Sequence, residues 1–449
     1  MSSFQTVNPA TGDILKSYQH LSWAEAEKQI EQAAKDFQIW RKVSFKDRAE
    51  VLHKLATALR THKTDLAQVM NQEMGKLISE GKAEVEKCAV TCEYYAKEAQ
   101  GMLKNQVAVS SPYAHAEVSF QPLGVVFSVM PWNFPLWQVL RFAAPALMAG
   151  NVILLKHADL TAGTAELIGK IFNDLTADYK LLRNLQVNHE VAAQVIAHPA
   201  VHGVTFTGSS QGGKAVAMEA AKNLKKIVLE LGGSDAYLVL EDADVEMAAK
   251  TCAKARLVNC GQSCVAGKRF IVHEKVAKDF LYHFTNEMKA AELAPLASVK
   301  FQKTIVNQVE KLKAWGGKVV LGGSAPQGPG AFYPATVVVF EKDNPDVHKE
   351  EVFGPVASVF IAKDEKTALE IANSSPFGLG GGVFTRNIQK GKELIEKELQ
   401  AGFVVVNDYV KSDARIPFGG VKESGYGREL GHFGILEFVN IKTVAVAGV

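Results

Sequence analysis

The chain has 449 residues, 47% hydrophobic and 22% charged, with a formal net charge of +2, a balance that fits a folded protein of two or three domains. Its 50 basic and 48 acidic residues form no long single-sign run, which excludes the electrostatic footprint of a nucleic-acid binder. No apolar stretch reaches bilayer-spanning length, the N-terminus lacks a secretory pattern, and the 5 cysteines are too few and odd in number for a disulfide framework, so a cytoplasmic protein with no membrane partner is expected.

Asn8-Pro9-Ala10-Thr11-Gly12 reads as a turn after a short extended start. From Ser22 to about residue 105 the pattern is helical, with Val51, Leu52, Leu55, Leu59 and Leu66 near a helical period and Ser22 with Glu25 as a capping box. Cys88 and Cys92 share a helix face. No His or third Cys joins them, so they read as core packing, and no metal site is expected. Val107 to Phe120, with Ser110-Ser111-Pro112 inside it, reads as a projecting β-hairpin. Phe438 to Val446 is another strand-like run. Their open edges suggest a sheet between subunits, with pairing inside one subunit as the alternative.

Leu123 to Met130 reads as a buried strand, followed by the loop Pro131-Trp132-Asn133-Phe134-Pro135 and a helix that stops at Gly150. Strand Asn151 to Lys156, a helix through Thr164 to Ile168, strand Gly203 to Gly208, a helix opening at Ser209, and strand Lys226 to Leu231 come next. This alternation predicts a parallel, doubly wound α/β sheet. It starts again after a hinge at Glu230 to Gly233. Strands are expected at 236–240, 270–273, 318–321, 335–340, 357–361, 382–384 and 402–406, and helices at 245–258, 276–291, 301–315, 365–372 and 388–399.

Chemistry concentrates around Cys264, which lies among Gly261, Ser263, Ala266 and Gly267 and before Lys268 and Arg269. Small neighbours admit a ligand, and the two cations favour a thiolate. An inert buried thiol is the plain alternative. The turn Gly208 to Gly213 opens a helix, a place for a pyrophosphate or only a structural turn. Lys156 ends an apolar strand and suits ribose hydroxyls or phosphate, or is simply solvated. Asp159, three residues on, would bind both adenosine ribose hydroxyls and repel a 2′-phosphate, which favours NAD over NADP. Glu230 ends another apolar strand, where burial would raise it toward a general base's range; an exposed acid is the alternative. Asn133, between two prolines, is an oxyanion donor or a turn former.

These stretches occur in one order with Phe206-Thr207-Gly208-Ser209, Leu229-Glu230-Leu231-Gly232-Gly233, Gly261-Gln262-Ser263-Cys264, Glu351-Val352-Phe353-Gly354-Pro355 and Pro417-Phe418-Gly419-Gly420-Val421-Lys422-Glu423-Ser424-Gly425. Together with the Pro131 to Pro135 loop they make the chain resemble the aldehyde dehydrogenase superfamily over almost its whole length. The resemblance implies two doubly wound Rossmann-like domains and a β oligomerisation arm. The dinucleotide-binding domain would be 1–106 and 121–231, the catalytic domain 232–425, and the arm 107–120 and 435–449, in a homodimer or homotetramer. It implies Cys264 as nucleophile, Glu230 as base and Asn133 as oxyanion donor beside the Cys264 backbone N–H. Lys156 would hold the adenosine ribose and Ser209 the pyrophosphate. Gly208, Gly213, Trp132, Leu231 and Gly232 would line the cofactor site, with Glu351 and Phe353 at the nicotinamide ribose and ring.

Within the superfamily, Leu154 to Ala158 and Val410 to Arg415 look like the short bacterial succinate-semialdehyde dehydrogenases. Arg141 then falls where those enzymes place a carboxylate-binding Arg, with Ser412 beside the substrate; without the family it would be a helix-surface Arg. The chain departs from the family in an abbreviated Thr176 to Asn188 segment, a missing turn after Met288, and His157 where many relatives have Pro. Other readings are a general aldehyde dehydrogenase, a CoA-acylating dehydrogenase, a thiol esterase and a non-catalytic cofactor-binding homologue. Cys260, four residues before Cys264, is either a spectator or a partner in an inhibitory disulfide.

Overall fold

The computed structural model describes residues 2–108 and 112–448. Val109, Ser110 and Ser111, at the tip of the expected hairpin, lie outside the described residues. Two parallel-based sheets form the body. The first runs, edge to edge, Gly425–Tyr426, Lys226–Glu230, Val201–Thr207, Val125–Met130, Val152–His157, Leu182–Asn184. All its pairs are parallel except the first, where Gly425 faces Glu230 across an antiparallel bridge. The second runs Lys318–Leu321, Thr336–Phe340, Val356–Ala362, Gly267–His273, Asp235–Val239, Gly380–Phe384, Phe403–Val406. Only Lys318–Leu321 is antiparallel in it. Crossover helices cover both sheets, because strands buried on two faces need apolar cover on each.

The N-terminal helices Trp23–Trp40, Phe45–Thr61, Lys63–Met74 and Ile78–Met102 pack on the first sheet. Ser22 and Glu25 form the expected capping box. Cys88 and Cys92 are buried in that core. Helix Trp137–Met148 is buried on every side, as a helix apolar all round should be, and ends before Gly150 in the left-handed region at φ 98°.

Two elements were not foreseen inside the shortened Thr176 to Asn188 region and just after it. Leu182–Asn184 adds a strand to the first sheet, and Asn188 caps helix His189–Ala197 by accepting the Val191 N–H. The arm also differs from the first expectation. Val439–Val446 pairs antiparallel with His115–Pro122, which pairs with Gln106–Val107, so the two runs join within one chain.

Candidate active site

Cys264 follows a short turn, Val258–Gly261, in which Asn259 and Cys260 take left-handed backbone at φ 53° and 54°. Such a conformation costs of order 1–3 kcal/mol for a residue with a side chain, so it must be held from outside. The Asn259 N–H donates to Glu80, and Asn259 Nδ2 donates to the carbonyls of Asn133 and Gln262. Asn133 Nδ2 donates to the same Gln262 carbonyl at 3.1 Å. The Lys268 ammonium donates to the carbonyls of Ser263 and Cys264. The thiol loop and the Asn133 loop are thereby fastened to each other.

The Asn133 loop is gripped from below as well. Glu84 Oε1 accepts the N–H groups of Leu136 and Trp137 at 2.9 and 2.8 Å, at the start of the helix that follows the loop. The other Glu84 oxygen pairs with Lys76; both side chains are buried, and the Lys76 ammonium lies 4.0 Å from the Phe134 ring centroid. His157 Nε2 donates to the Pro135 carbonyl at 2.9 Å. Burial pushes the His157 imidazole down to about 4, so it is neutral at neutral pH. The sequence reading missed Lys76, Glu84 and Asn259. The available signal was Glu84 itself, a charge one turn before Cys88 on a buried helix face.

Two cavities meet at Cys264. The first, about 280 Å³, gathers Cys264 and Asn133 with Trp132, Leu231 and Gly232. Gly208, Ser209, Glu351 and Phe353 also line it. Ser209 caps helix Ser210–Lys222 by accepting the Gly212 N–H, which leaves other N–H groups of that terminus for an anion. Gly232 is glycine for a steric reason, since a Cβ there would lie 2.3 Å from a Glu351 oxygen. The Gly233 N–H donates to Glu351 at 3.0 Å. Gly213 does not line the cavity; it lets Leu231 approach, since a Cβ there would meet that side chain at 2.4 Å. Phe301, Thr304 and Gln308, also unforeseen, line it from helix Val299–Ala314.

This cavity fits a dinucleotide's nicotinamide half. Thr207 Oγ1 and Gln308 Oε1 on its wall are buried without a hydrogen-bond partner, and buried polar groups of that kind are rarely left unmatched when a polar ligand is bound. Lys156 and Asp159 lie outside its lining. Lys156 is buried at the end of its strand, 4.0 Å from Asp159, whose other oxygen meets His20 Nε2 at 3.1 Å.

The second cavity, about 170 Å³, is walled by Trp137, Arg141, Ser412, Phe418 and Lys87. Arg141 is not on a helix surface, as its type alone suggests. It is 1% exposed, forms an ion pair with Glu429, and lies 4.8 Å from the Phe418 ring centroid. Its Nη2 has no hydrogen-bond partner among the described residues. Ser412 Oγ accepts from Lys87 at 2.8 Å.

The thiol is harder to ionise than the sequence suggests, although Lys268 acts on it in the expected direction. Burial pushes Cys264 up to about 11, with Arg141 and Lys268 pulling it back and Glu351 and Glu230 adding to the rise. Arg269 contributes nothing there, because it donates to the carbonyls of Ser234, Ile371 and Ala372. Glu230 is 2% exposed and lines neither cavity. Both its oxygens are buried without a hydrogen bond, and one lies 2.8 Å from where a Gly419 Cβ would be. Burial, then the neighbouring Glu429, hold the Glu230 carboxyl well above the usual range, against Arg141 and Arg428. Cys260 is buried in the core of the second sheet and donates its S–H to the Ala294 carbonyl; burial pushes it up to about 12, which supports the spectator reading.

The aldehyde dehydrogenase family model matches residues 1–444. The chain belongs to the aldehyde dehydrogenase family. It is 42% identical to a probable succinate-semialdehyde dehydrogenase, NADP(+), of Synechocystis sp., over 98% of this chain and 99% of that one. It is 41% identical to the Escherichia coli succinate semialdehyde dehydrogenase, NAD(P)+, over 98% of this chain and 97% of that one. Its fold superposes on a crystal structure of succinic semialdehyde dehydrogenase from Streptococcus pyogenes in complex with NADP+, with a TM-score of 0.95, 35% identity, and coverage of 99% and 100%. The enzyme is therefore a nicotinamide-dependent aldehyde dehydrogenase with the mixed α/β fold of that family.

Proposed function

We propose that the enzyme oxidises succinate semialdehyde to succinate. The observation that carries this reading is the buried Arg141, whose Nη2 lacks a hydrogen-bond partner on the wall of the cavity that opens on Cys264. A guanidinium so placed suits a substrate carboxylate at the end remote from the aldehyde. The names of the relatives support the same substrate class.

In the proposed mechanism the Cys264 thiolate attacks the aldehyde carbon. Asn133 Nδ2 has two hydrogens. One is taken by the Gln262 carbonyl, and the other, with the Cys264 backbone N–H, receives the developing oxyanion. Trp132, Leu231, Gly232, Glu351 and Phe353 would hold the nicotinamide, which would accept the hydride that the Cys264-bound carbon must lose to become an acyl-thioester. Glu230 moves from beside Gly419 toward the acyl-thioester, takes a proton from water, and so favours hydrolysis over transfer to CoA. Lys156 would hold the adenosine ribose and Ser209, Gly208 and the helix they open the pyrophosphate, with Gly213 shaping that helix against Leu231.

For the cofactor we infer that NADP is accepted and preferred, against the NAD preference that Asp159 alone suggests. The Asp159 carboxylate meets His20 and lies near Lys156, which offsets the charge a 2′-phosphate would feel, and the relatives carry NADP(+) or NAD(P)+ in their names. Self-association through the three-stranded arm is proposed on the exposed Ile441, Val444 and Val446 along its outer strand; sedimentation distinguishes dimer from tetramer. Among the described residues no helix is long and apolar enough to cross a membrane, and the five free cysteines suit a reducing, cytoplasmic setting. The test is a steady-state panel of succinate semialdehyde and butanal with NAD, NADP and added CoA. Clear preference for the carboxylated aldehyde, without CoA dependence, is expected; equal kcat/KM for both aldehydes would overturn the substrate assignment.

A further inference from the structure

Three cations stand on the wall of the second cavity: Arg141, Lys411 and Lys87. The Arg141 charge is met by Glu429, and the Lys411 charge by Asp408 at 2.7 Å. Lys87 differs. No carboxylate of the described residues lies within salt-bridge distance of it. One of its three N–H bonds goes to the Ser412 hydroxyl at 2.8 Å, and the ammonium lies 3.9 Å from the Trp137 ring centroid. An aromatic face and a hydroxyl stabilise a cation but do not neutralise it. Of the three, Lys87 is thus the cation that no carboxylate of the described residues meets.

We propose that Lys87, with Ser412, is the specificity residue that receives the remote carboxylate of a short ω-oxo acid while its aldehyde lies at Cys264. Arg141 adds a directional hydrogen bond from its unpaired Nη2, but Lys87 supplies the charge. This rests on the succinate-semialdehyde reading above, and it moves the main electrostatic contribution from Arg141, on helix Trp137–Met148, to helix Ile78–Met102. Both cationic side chains and the hydroxyl face one cavity from three separate segments of chain. That convergence serves a small carboxylate end group better than an apolar tail, which gains nothing from an unneutralised ammonium.

Protonation gives a readout that a purely structural lysine lacks. Burial, with Arg141 acting in the same direction and Cys88, Glu84 and Asp413 opposing it, brings Lys87 down to about 8. The ammonium is therefore lost as pH rises through about 8, and the carboxylate loses its partner with it.

The experiment measures kcat/KM for succinate semialdehyde and for butanal in the wild type, Lys87→Met and Lys87→Arg, together with the inhibition constant of succinate against butanal. Loss of one charge-assisted contact should lower the succinate-semialdehyde preference of Lys87→Met by about 10- to 100-fold and weaken succinate inhibition in parallel. Lys87→Arg should keep most of the preference. In the wild type the preference should fall between about pH 7 and about 9.5, and in Lys87→Arg it should stay flat, since Arg remains charged. A wild type that prefers succinate semialdehyde, with Lys87→Met keeping that preference, overturns the role of Lys87 alone. A wild type with no such preference overturns the substrate reading and this proposal together. If Lys87→Met does not fold, a pH-independent preference in the wild type still overturns it.

Discussion

The position of the Cys264 thiol predicts how fast it reacts. A cysteine at its ordinary value of 9.0 would be about 3% thiolate at pH 7.5, whereas at about 11 it would be about 0.03%, a hundredfold less. Alkylation of the cofactor-free enzyme by iodoacetamide, followed by mass spectrometry of the Cys264 peptide, should therefore be slow near neutrality. Its rate should climb about tenfold per pH unit up to about pH 10, because only the thiolate reacts. The direction of each contribution can be tested separately. Glu351→Gln removes a charge that raises the thiol, so its profile should shift to lower pH; Arg141→Met removes one that lowers it, so its profile should shift to higher pH. A wild-type rate that levels off below about pH 8.5 would refute the argument that burial dominates here.

Further outcomes follow from the site's supports. Asn133→Ala should cost about 100- to 1000-fold in kcat through loss of one oxyanion donor, with a much smaller change in melting temperature; near-normal turnover would remove Asn133 from the mechanism. Glu84→Ala leaves the Lys76 ammonium buried and unpaired, so urea unfolding should show a loss of about 3–5 kcal/mol, partly recovered in Lys76→Met/Glu84→Gln. His157 has a folded value of about 4, below its value of 6.5 when unfolded. The unfolded chain thus binds this proton first on acidification, and stability should fall by up to about 3 kcal/mol as pH drops from about 6.5 to about 4. His157→Gln should lose less stability over the same interval, measured by denaturant midpoints; an unchanged slope would count against burial of a neutral ring.

Much of the fold was legible because two periods dominate the chain. Apolar runs bounded by Gly and Pro located the long strands, and 3.6-residue spacing located the helices between them. Leu182–Asn184 and Gly425–Tyr426 escaped because two or three residues carry no period, and only the neighbouring strand makes them strands. Arg141 shows a different limit. Its residue type suggests a surface, yet Trp137–Met148 is apolar on all sides and leaves no solvent face for it. Lys268 and Arg269 show a third. Adjacent in sequence, they alternate across a strand, so Lys268 reaches the Cys264 carbonyl while Arg269 turns away to Ser234, Ile371 and Ala372. Of the two neighbouring cations only Lys268 therefore acts on the sulfur as expected, and burial outweighs it.

The antiparallel bridge from Gly425 to Glu230 joins the middle of the chain to a segment near its C-terminal end. Glu230 also waits for Gly419 to enclose it, and Arg141 for Glu429. During synthesis the cofactor-side sheet would emerge with one margin uncovered, and its acid and guanidinium would lack their neighbours until the final few dozen residues clear the ribosome. A prematurely terminated product would consequently carry the thiol without a finished chamber around it, and proteolytic quality control would meet an open sheet margin on which to act.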